Sequence, residues 1–511
     1  MKHRVAKPQR GVIGVLAPFL YASVILRDAE RPAILMAGAL IRKESMPRHN
    51  KAELPKIVLQ KNQITANMNR LSAYFFSAAL LLTAAAPLQA QTNSLADLIE
   101  RDYSGRADSL EYVLTNQFLN SSKGTFYAIP RSYNNYASVS SNIYWQQAPA
   151  LDVFIYAFQR LNDENDIRYR NYRRIMQYWY QNHANNWYHE KEDDETGFYN
   201  EFTDDMCWMC LTLLHISEAL NDEIYAATAR KVFDEYILPR GSRDGKGFFS
   251  LPWKDDGSGP NACTNAPGCL LAAKLYLRYG DESYLQVAQD LYAWEANVMK
   301  TEFNNDGRVE NPPLTYTQGT FGEAARQLYH ITGNQDYMSM AGRVLYYAIS
   351  SSNCNYKGLL RDEGSNMDQS IFKAVLIPYL VNFILDEEAS INYRKRMVTL
   401  LTKNANALWD NLNLDAYPRT YCNYYWGEPI DNSKVPSMGA MVSGASLMEN
   451  MARMALALTN GDNATGVSNV QMKANPHTLL FNAAGQSLQK MQRGLNIVKQ
   501  TDGRTVKVFK E

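Results

Sequence analysis

The sequence predicts an all-α chain of six helical hairpins closed into a ring, and three observations predict it. First, a short polar corner recurs within otherwise helical sequence between residues 95 and 460: Asn162-Asp-Glu, Asn221-Asp-Glu, Gly280-Asp-Glu, Gly333-Asn-Gln, Asp386-Glu-Glu and Asn460-Gly-Asp. Successive corners stand about 50–75 residues apart, room for two helices of ordinary length and one longer loop. Second, apolar residues recur at helical spacing beside the corners, as at Leu270, Ala273, Leu275 and Leu277, and strand-like alternation is scarce. Third, six long loops separate the hairpins. Stacked repeats bury a shared face against their neighbours in an open solenoid or a ring alike. Long loops on alternate connections favour the ring, with every loop at one end and every corner at the other.

Taken in order, the chain divides as follows. Residues 1–67 mix basic patches with short apolar runs and no sustained period, and are expected to be an unfolded extension ahead of the true translation start. Met68-Asn-Arg70 is a short basic start, residues 71–86 are an apolar run, and Pro87-Leu-Gln-Ala90 ends on a small residue before Gln91. Those three parts make residues 68–90 a secretory signal peptide; a cytoplasmic extension on a membrane anchor is the alternative. Beyond it no stretch is expected to span a bilayer. Residues 91–462 form the helical domain, and residues 463–511 a polar linker and a tail. The protein is therefore expected to be exported to the periplasm, the outer surface or the medium, and to act as a monomer.

The six loops lie at about 121–145, 183–203, 241–265, 303–320, 353–369 and 416–437, and they share a composition. They carry Tyr127, Tyr133, Tyr136, Tyr144 and Trp145; Trp187, Tyr188, Phe198 and Tyr199; Trp253, Asp255 and Asp256; Tyr316 and Gln318; Glu363 and Asp368; and Tyr421, Tyr424, Tyr425 and Trp426. Loops aimed at one place by a rigid scaffold carry function. The chain holds 33 tyrosines and 8 tryptophans, and such rings suit flat polyhydroxylated ligands with apolar faces. Formal net charge is zero, which gives no electrostatic case for nucleic acid, whose binding needs a basic face.

One helix start holds two adjacent carboxylates, Asp204 and Asp205, behind Thr203, which reads as an ordinary N-cap. Acids in a first helical turn commonly serve only the helix dipole. Neighbours on a helix differ by about 100° of rotation, so their side chains can diverge by about 5 Å, the separation a retaining glycosidase uses. Asp255-Asp256 is a second such pair, in a Lys-Asp-Asp-Gly-Ser-Gly sequence that favours a turn. Of the six cysteines, Cys263 and Cys269 bracket a short loop and could pair, whereas Cys207 and Cys210 share a helical face and suit core packing. A zinc reading of Cys207 and Cys210 lacks a second pair with ligand spacing. His189, His215 and His330 form no constellation with a nucleophile, and His215 reads as a packed helix residue.

An ordered set of motifs over residues 95–460 resembles glycoside hydrolase family 76, the endo-α-1,6-mannanases: Tyr144-Trp-Gln-Gln-Ala148, Phe202-Thr-Asp-Asp-Met-Cys-Trp208, Trp253-Lys-Asp-Asp-Gly257, Thr264-Asn-Ala-Pro-Gly268, Thr315-Tyr-Thr-Gln-Gly319, and Phe372-Lys373 after Asp368. The resemblance implies an (α/α)6 barrel, hydrolysis of α-1,6-mannan or mannooligosaccharides with retention, and no cofactor or metal. It implies Asp204 as nucleophile and Asp205 as acid/base. Trp253 and Tyr316 are expected as sugar platforms, and Gln146, Asn265, Gln318 and Asp368 as hydroxyl partners, with a binding role left to Asp255 and Asp256. The sulfur-rich Met206-Cys-Trp-Met-Cys210 departs from the pattern and is expected on the core side. A transglycosylase of the same fold and a non-catalytic glycan-binding protein are the rivals. Class I terpene cyclases would need a third acid where Trp208 stands.

In the tail, short alternating runs at Thr478-Leu-Leu-Phe-Asn482 and Val506-Lys-Val-Phe-Lys510, around Gly and Asp-Gly turns, read as small β-hairpins. A sorting signal and a cap on the barrel are equally compatible with them.

Overall fold

The structure, a computed structural model, describes residues 102–459 apart from 140–142, 164–165, 184–192 and 300–306, together with residues 95 and 99 and short strands between 479 and 510. The N-terminal extension, the signal peptide and the linker lie outside the described residues, as do Trp187, Tyr188 and His189.

Among the described residues, twelve helices of ten residues or more build the domain: α1 (Tyr103–Val113), α2 (Gln147–Asp163), α3 (Tyr169–Asn182), α4 (Thr203–Leu220), α5 (Glu223–Val232), α6 (Ala262–Tyr279), α7 (Glu282–Val298), α8 (Thr315–Thr332), α9 (Gln335–Ser350), α10 (Met367–Leu385), α11 (Ile391–Asp410) and α12 (Met438–Thr459). The even-numbered helices pack side by side in sequence order, and α12 returns to α2 to close an inner ring. The odd-numbered helices lie outside it. This is the all-α (α/α)6 barrel. The sixth unit differs from expectation: α12 takes α1, from the opposite end of the domain, as its outer partner. Five hairpins are thus continuous and one is assembled from the two ends. The corner at Asn460 lies outside the described residues.

Three of the corners join a helix stop to a helix start in two residues. Asn221, Gly280 and Gly333 adopt φ of 51°, 69° and 75° at the C-terminal ends of α4, α6 and α8. The next residues, Asp222, Asp281 and Asn334, accept backbone N–H groups of the following helix and cap it. A left-handed residue stops one helix and a short polar side chain starts the next.

Inner and outer helices differ in what they bury. Every residue of α8 from Thr315 to Tyr329 is buried, whereas α3 buries Ile175, Met176 and Trp179. A helix surrounded by helices needs no polar face; an outer one keeps one for water. Helix α10 is the extreme case. It is long and apolar enough to cross a membrane, which the sequence reading did not expect, and 78% of its most apolar window is buried as inner wall.

All six outer-to-inner connections emerge at the end where the inner helices begin. Among the described residues, three carry two-residue antiparallel hairpins: β1–β2 (Leu119–Asn120 with Thr125–Phe126), β3–β4 (Ser242–Arg243 with Phe249–Ser250) and β5–β6 (Asn355–Tyr356 with Leu359–Leu360). The tail forms an antiparallel sheet of β7 (Leu479–Asn482), β8 (Ser487–Leu488), β9 (Gly494–Lys499) and β10 (Thr505–Lys510) in the order β10-β9-β7-β8.

Candidate active site

Asp204 and Asp205 occupy the first turn of α4 at the loop end of the ring, half-buried. Thr203 is not the N-cap: it is the first helical residue, and Phe202 holds the cap position without a side-chain bond. The start of α4 is fixed from outside the helix. Arg240 donates to the carbonyls of Asn200 and Glu201 at 2.9 Å and to Thr203 Oγ1 at 3.2 Å. The Thr203 N–H donates to the Trp253 carbonyl at 2.9 Å, and the Asp255 N–H to the Glu201 carbonyl at 3.1 Å. Two loops thus strap each other in front of the pair, and the first-turn N–H groups are left to the carboxylates instead of a capping hydroxyl.

The two aspartates meet different surroundings. Cys263, near the start of α6, points its thiol at Asp204 Oδ2 (3.7 Å) and at Asn261 Oδ1 (3.2 Å). Asp204 Oδ1 is buried with no partner at hydrogen-bond geometry. Burial pushes the Asp204 carboxyl up to about 7, opposed by the N–H groups of Asp205 and Asp204, by Cys263 and by the Trp253 indole. Asp205 is raised well above the ordinary range by burial first, then by the charges of Asp204, Asp368 and Glu201. Its hydrogen bond is from Asn200 Nδ2 to Oδ2 at 3.3 Å, and Asn200 itself is fully buried. The helix amides oppose the effect of burial on the first residue, while three carboxylates add to it on the second.

Below the pair, four rings from four inner-helix starts form a floor. Tyr316 stacks on Phe372 at 4.0 Å between centroids, and Trp145 lies 5.8–6.2 Å from Trp208, Tyr316 and Phe372. Trp145 Nε1 and Gln146 Nε2 both donate to Asp368 Oδ1, at 2.9 and 2.6 Å, which ties the start of α2 to the first turn of α10. The exposed Asp368 carboxylate therefore stands beside Asp205 already oriented. Trp253, 41% exposed and 5.2 Å from Phe202, flanks the pair from the strap.

The remaining expected residues have other work. Asn265 is fully buried and its amide bonds the Leu251 N–H and the Leu251 and Asn261 carbonyls. Gln318 is likewise buried and spends its amide on Val309, Gly307 and Val344 backbone. Both pin loops to helices and present no group to the cleft, because a buried amide must find partners where it lies. Tyr316 is buried too, so it supports the floor more than it faces solvent. Asp255 accepts the Tyr199 hydroxyl at 2.8 Å and lies 3.5 Å from Arg240, while Asp256 accepts the Ser258 N–H and hydroxyl in a turn. That second pair braces the strap.

All six cysteines are free thiols, and Cys263 and Cys269, which could have paired, face different ways: Cys263 faces Asp204 while Cys269 bonds the Ala288 carbonyl inside the wall. Met206, Cys207, Met209 and Cys210 are fully buried, on the core side as expected. His215 packs in α4 with Nδ1 3.1 Å from Asp152. Sequence reasoning missed Asn200, Cys263 and Trp208 at the site. Trp208 was reachable, since it follows Asp204 and Asp205 by four and three residues and shares their helix face.

A family model described as glycosyl hydrolase family 76 matches residues 108–461. No curated protein matches the chain by sequence. Among solved structures, an inactive variant of the α-1,6-mannanase GH76A of Salegentibacter sp. HEL1_6, with two consecutive aspartates changed to alanine and in complex with α-1,6-mannotetrose, is 23% identical. It covers 69% of this chain and 100% of its own, with a TM-score of 0.59. The Lin0763 protein from Listeria innocua is 22% identical over 69% and 97% of the two chains, with a TM-score of 0.58. Dfg5 from Chaetomium thermophilum, in complex with glucosamine, is 15% identical over 70% and 92%, with a TM-score of 0.54. These likenesses show a shared fold.

Proposed function

The chain belongs to glycoside hydrolase family 76, and from that premise we propose that it hydrolyses α-1,6-mannosidic bonds in mannan with retention of configuration. The observation that carries the reading is the Asp204–Asp205 pair: two carboxyls at one helix start, above an aromatic floor, both raised by burial, with amides and a thiol opposing the rise at Asp204 and neighbouring carboxylates adding to it at Asp205. The Salegentibacter relative, inactive with two consecutive aspartates changed and holding a linear α-1,6-linked tetrasaccharide, supports the same assignment.

In the first step, Asp204 attacks the anomeric carbon of a mannosyl unit while Asp205 gives its proton to the departing O6, leaving a covalent mannosyl ester on Asp204. In the second, Asp205 takes a proton from water, and the hydroxide oxygen displaces Asp204 and restores the α-anomer. Asp205 suits the acid role because neighbouring carboxylates disfavour its ionised form. Asp204 suits the nucleophile role because first-turn amides favour its charge. Asp368, oriented by Trp145 and Gln146, and the Trp253 ring take sugar hydroxyls and a sugar face beside the scissile bond.

Asp204→Asn and Asp205→Asn, assayed on debranched α-1,6-mannan, are each expected to lose about 1,000-fold or more in kcat/KM. Proton NMR of the wild-type reaction should show the α reducing end forming first. Near-wild-type activity in either variant sinks the scheme, and a β-anomer formed first sinks retention.

A further inference from the structure

A second pocket stands on the same rim as the aspartate pair. The β5–β6 hairpin and the loop before α12 enclose an open pocket of about 410 Å³ whose walls include Tyr356, Arg361, Asp362, Tyr425 and Glu428. Tyr356 is 52% exposed. Its ring centroid lies 5.6 Å from that of Tyr425 at 57°, and the Tyr425 hydroxyl donates to the Tyr356 carbonyl at 3.1 Å. The two rings hold each other open as a V. Arg361 Nε is buried without a hydrogen-bond partner, the Glu428 carboxylate acts on Lys357 through its charge, and the Asp362 carboxylate accepts the Gly364 N–H at 2.8 Å. Lys357 stands 5.0 Å over the Tyr356 ring, and the charged residues of the pocket wall are Arg361, Asp362 and Glu428.

That chemistry selects a neutral polyhydroxylated ligand. A wall with one cation and two carboxylates offers nothing to a polyanion, the exposed Tyr356 ring accepts the apolar face of a pyranose, and the charged groups of the wall remain for hydroxyls. Continuity with the aspartate site identifies which glycan. Arg361 and Asp362 run directly into Glu363, whose carboxylate accepts the Thr315 N–H at 2.8 Å beside Tyr316. On the other wall, Lys373 of α10 donates to the Tyr424 carbonyl and lies 4.5 Å over the Trp426 ring, and its neighbour Phe372 stacks on Tyr316. One contact path joins the pocket to the aromatic floor.

We propose that the pocket between Tyr356 and Tyr425 is a distal subsite for the mannan chain cut at Asp204 and Asp205. This rests on the function proposed above, and the test separates the two. Wild type, Tyr356→Ala and Tyr425→Ala are compared on debranched α-1,6-mannan and on α-1,6-mannotriose, and by mobility in native gels containing that mannan. The ratio of polymer to trisaccharide kcat/KM is expected to fall about three- to tenfold in each variant, through KM, with weaker gel retardation. Tyr356→Ala removes an exposed ring and carries the test should Tyr425→Ala lose its fold. A ratio and a retardation equal to wild type overturn the subsite and leave hydrolysis standing. Tyr356-dependent retardation without cleavage of either glycan supports the subsite and removes hydrolysis. Wild type that mannan does not retard overturns the subsite.

Discussion

At the residue scale, what distinguishes Asp204 from Asp205 is the company each keeps. Both lose water, but Asp204 sits against N–H groups and a thiol, while Asp205 sits against carboxylates. The pH dependence follows with a definite sign. Asp204 must be ionised to attack, so kcat/KM should fall as pH drops through about 7, the value to which burial pushes it. Asp205 must hold its proton, so activity should fall again on the alkaline side as that raised carboxyl ionises. Cys263 sharpens this prediction. Its thiol lowers the Asp204 value, so Cys263→Ala should move the acid limb of the kcat/KM profile to higher pH by about half a unit, and Cys263→Ser should move it back. An acid limb that stays in place in the alanine variant would detach the thiol from the chemistry.

At the element scale, each inner helix must begin at the rim, because its first turn is where the side chains and free amides converge. For α4, α6 and α8 the two-residue corners at the opposite end enforce this. Gly280 and Gly333 close α6 and α8 with φ of 69° and 75°, and a Cβ at either position would meet no neighbouring atom. Gly280→Ala and Gly333→Ala should therefore cost about 1 kcal/mol each from backbone strain alone, read as a lower urea midpoint with an unchanged m-value and unchanged turnover. A larger loss would mean that the corner does more than stop the helix. Near the pair the logic reverses. The start of α4 has no side-chain cap, and its geometry is borrowed from Arg240 and the Trp253 strap.

At the scale of the whole molecule, the ring exists only if α12 meets α2 and α1. Arg160 of α2 makes that junction polar and exact in register: it pairs with Glu449 of α12 at 2.9 Å and with Asp108 of α1 at 2.8 Å, and Glu449 is fully buried. Removing one member of a buried pair strands the other, so Arg160→Ala should cost about 3–5 kcal/mol in chemical unfolding, and Arg160→Met with Glu449→Leu should recover much of it. A single-variant loss below 1 kcal/mol would show that the ring closes without this pair. The closure matters to the site because the floor draws Trp145, Trp208, Tyr316 and Phe372 from around the ring.

The helical class, the corners and the Asp204–Asp205 pair were legible in the sequence because each is local: a left-handed residue followed by a cap, a repeated spacing, two acids in one turn. What only the tertiary structure decided were the partners of groups far apart in the chain. Asn265 and Gln318 look like hydroxyl partners in a motif, yet they spend their amides on backbone once buried. Cys263 stands six residues from Cys269 but turns to Asp204, because the helix that carries both separates their faces. The last unit takes α1 from the other end of the domain, since a ring must join its ends and no local signal records where. Local propensity sets which turns and helices form; burial and closure decide which side chains are left to do chemistry.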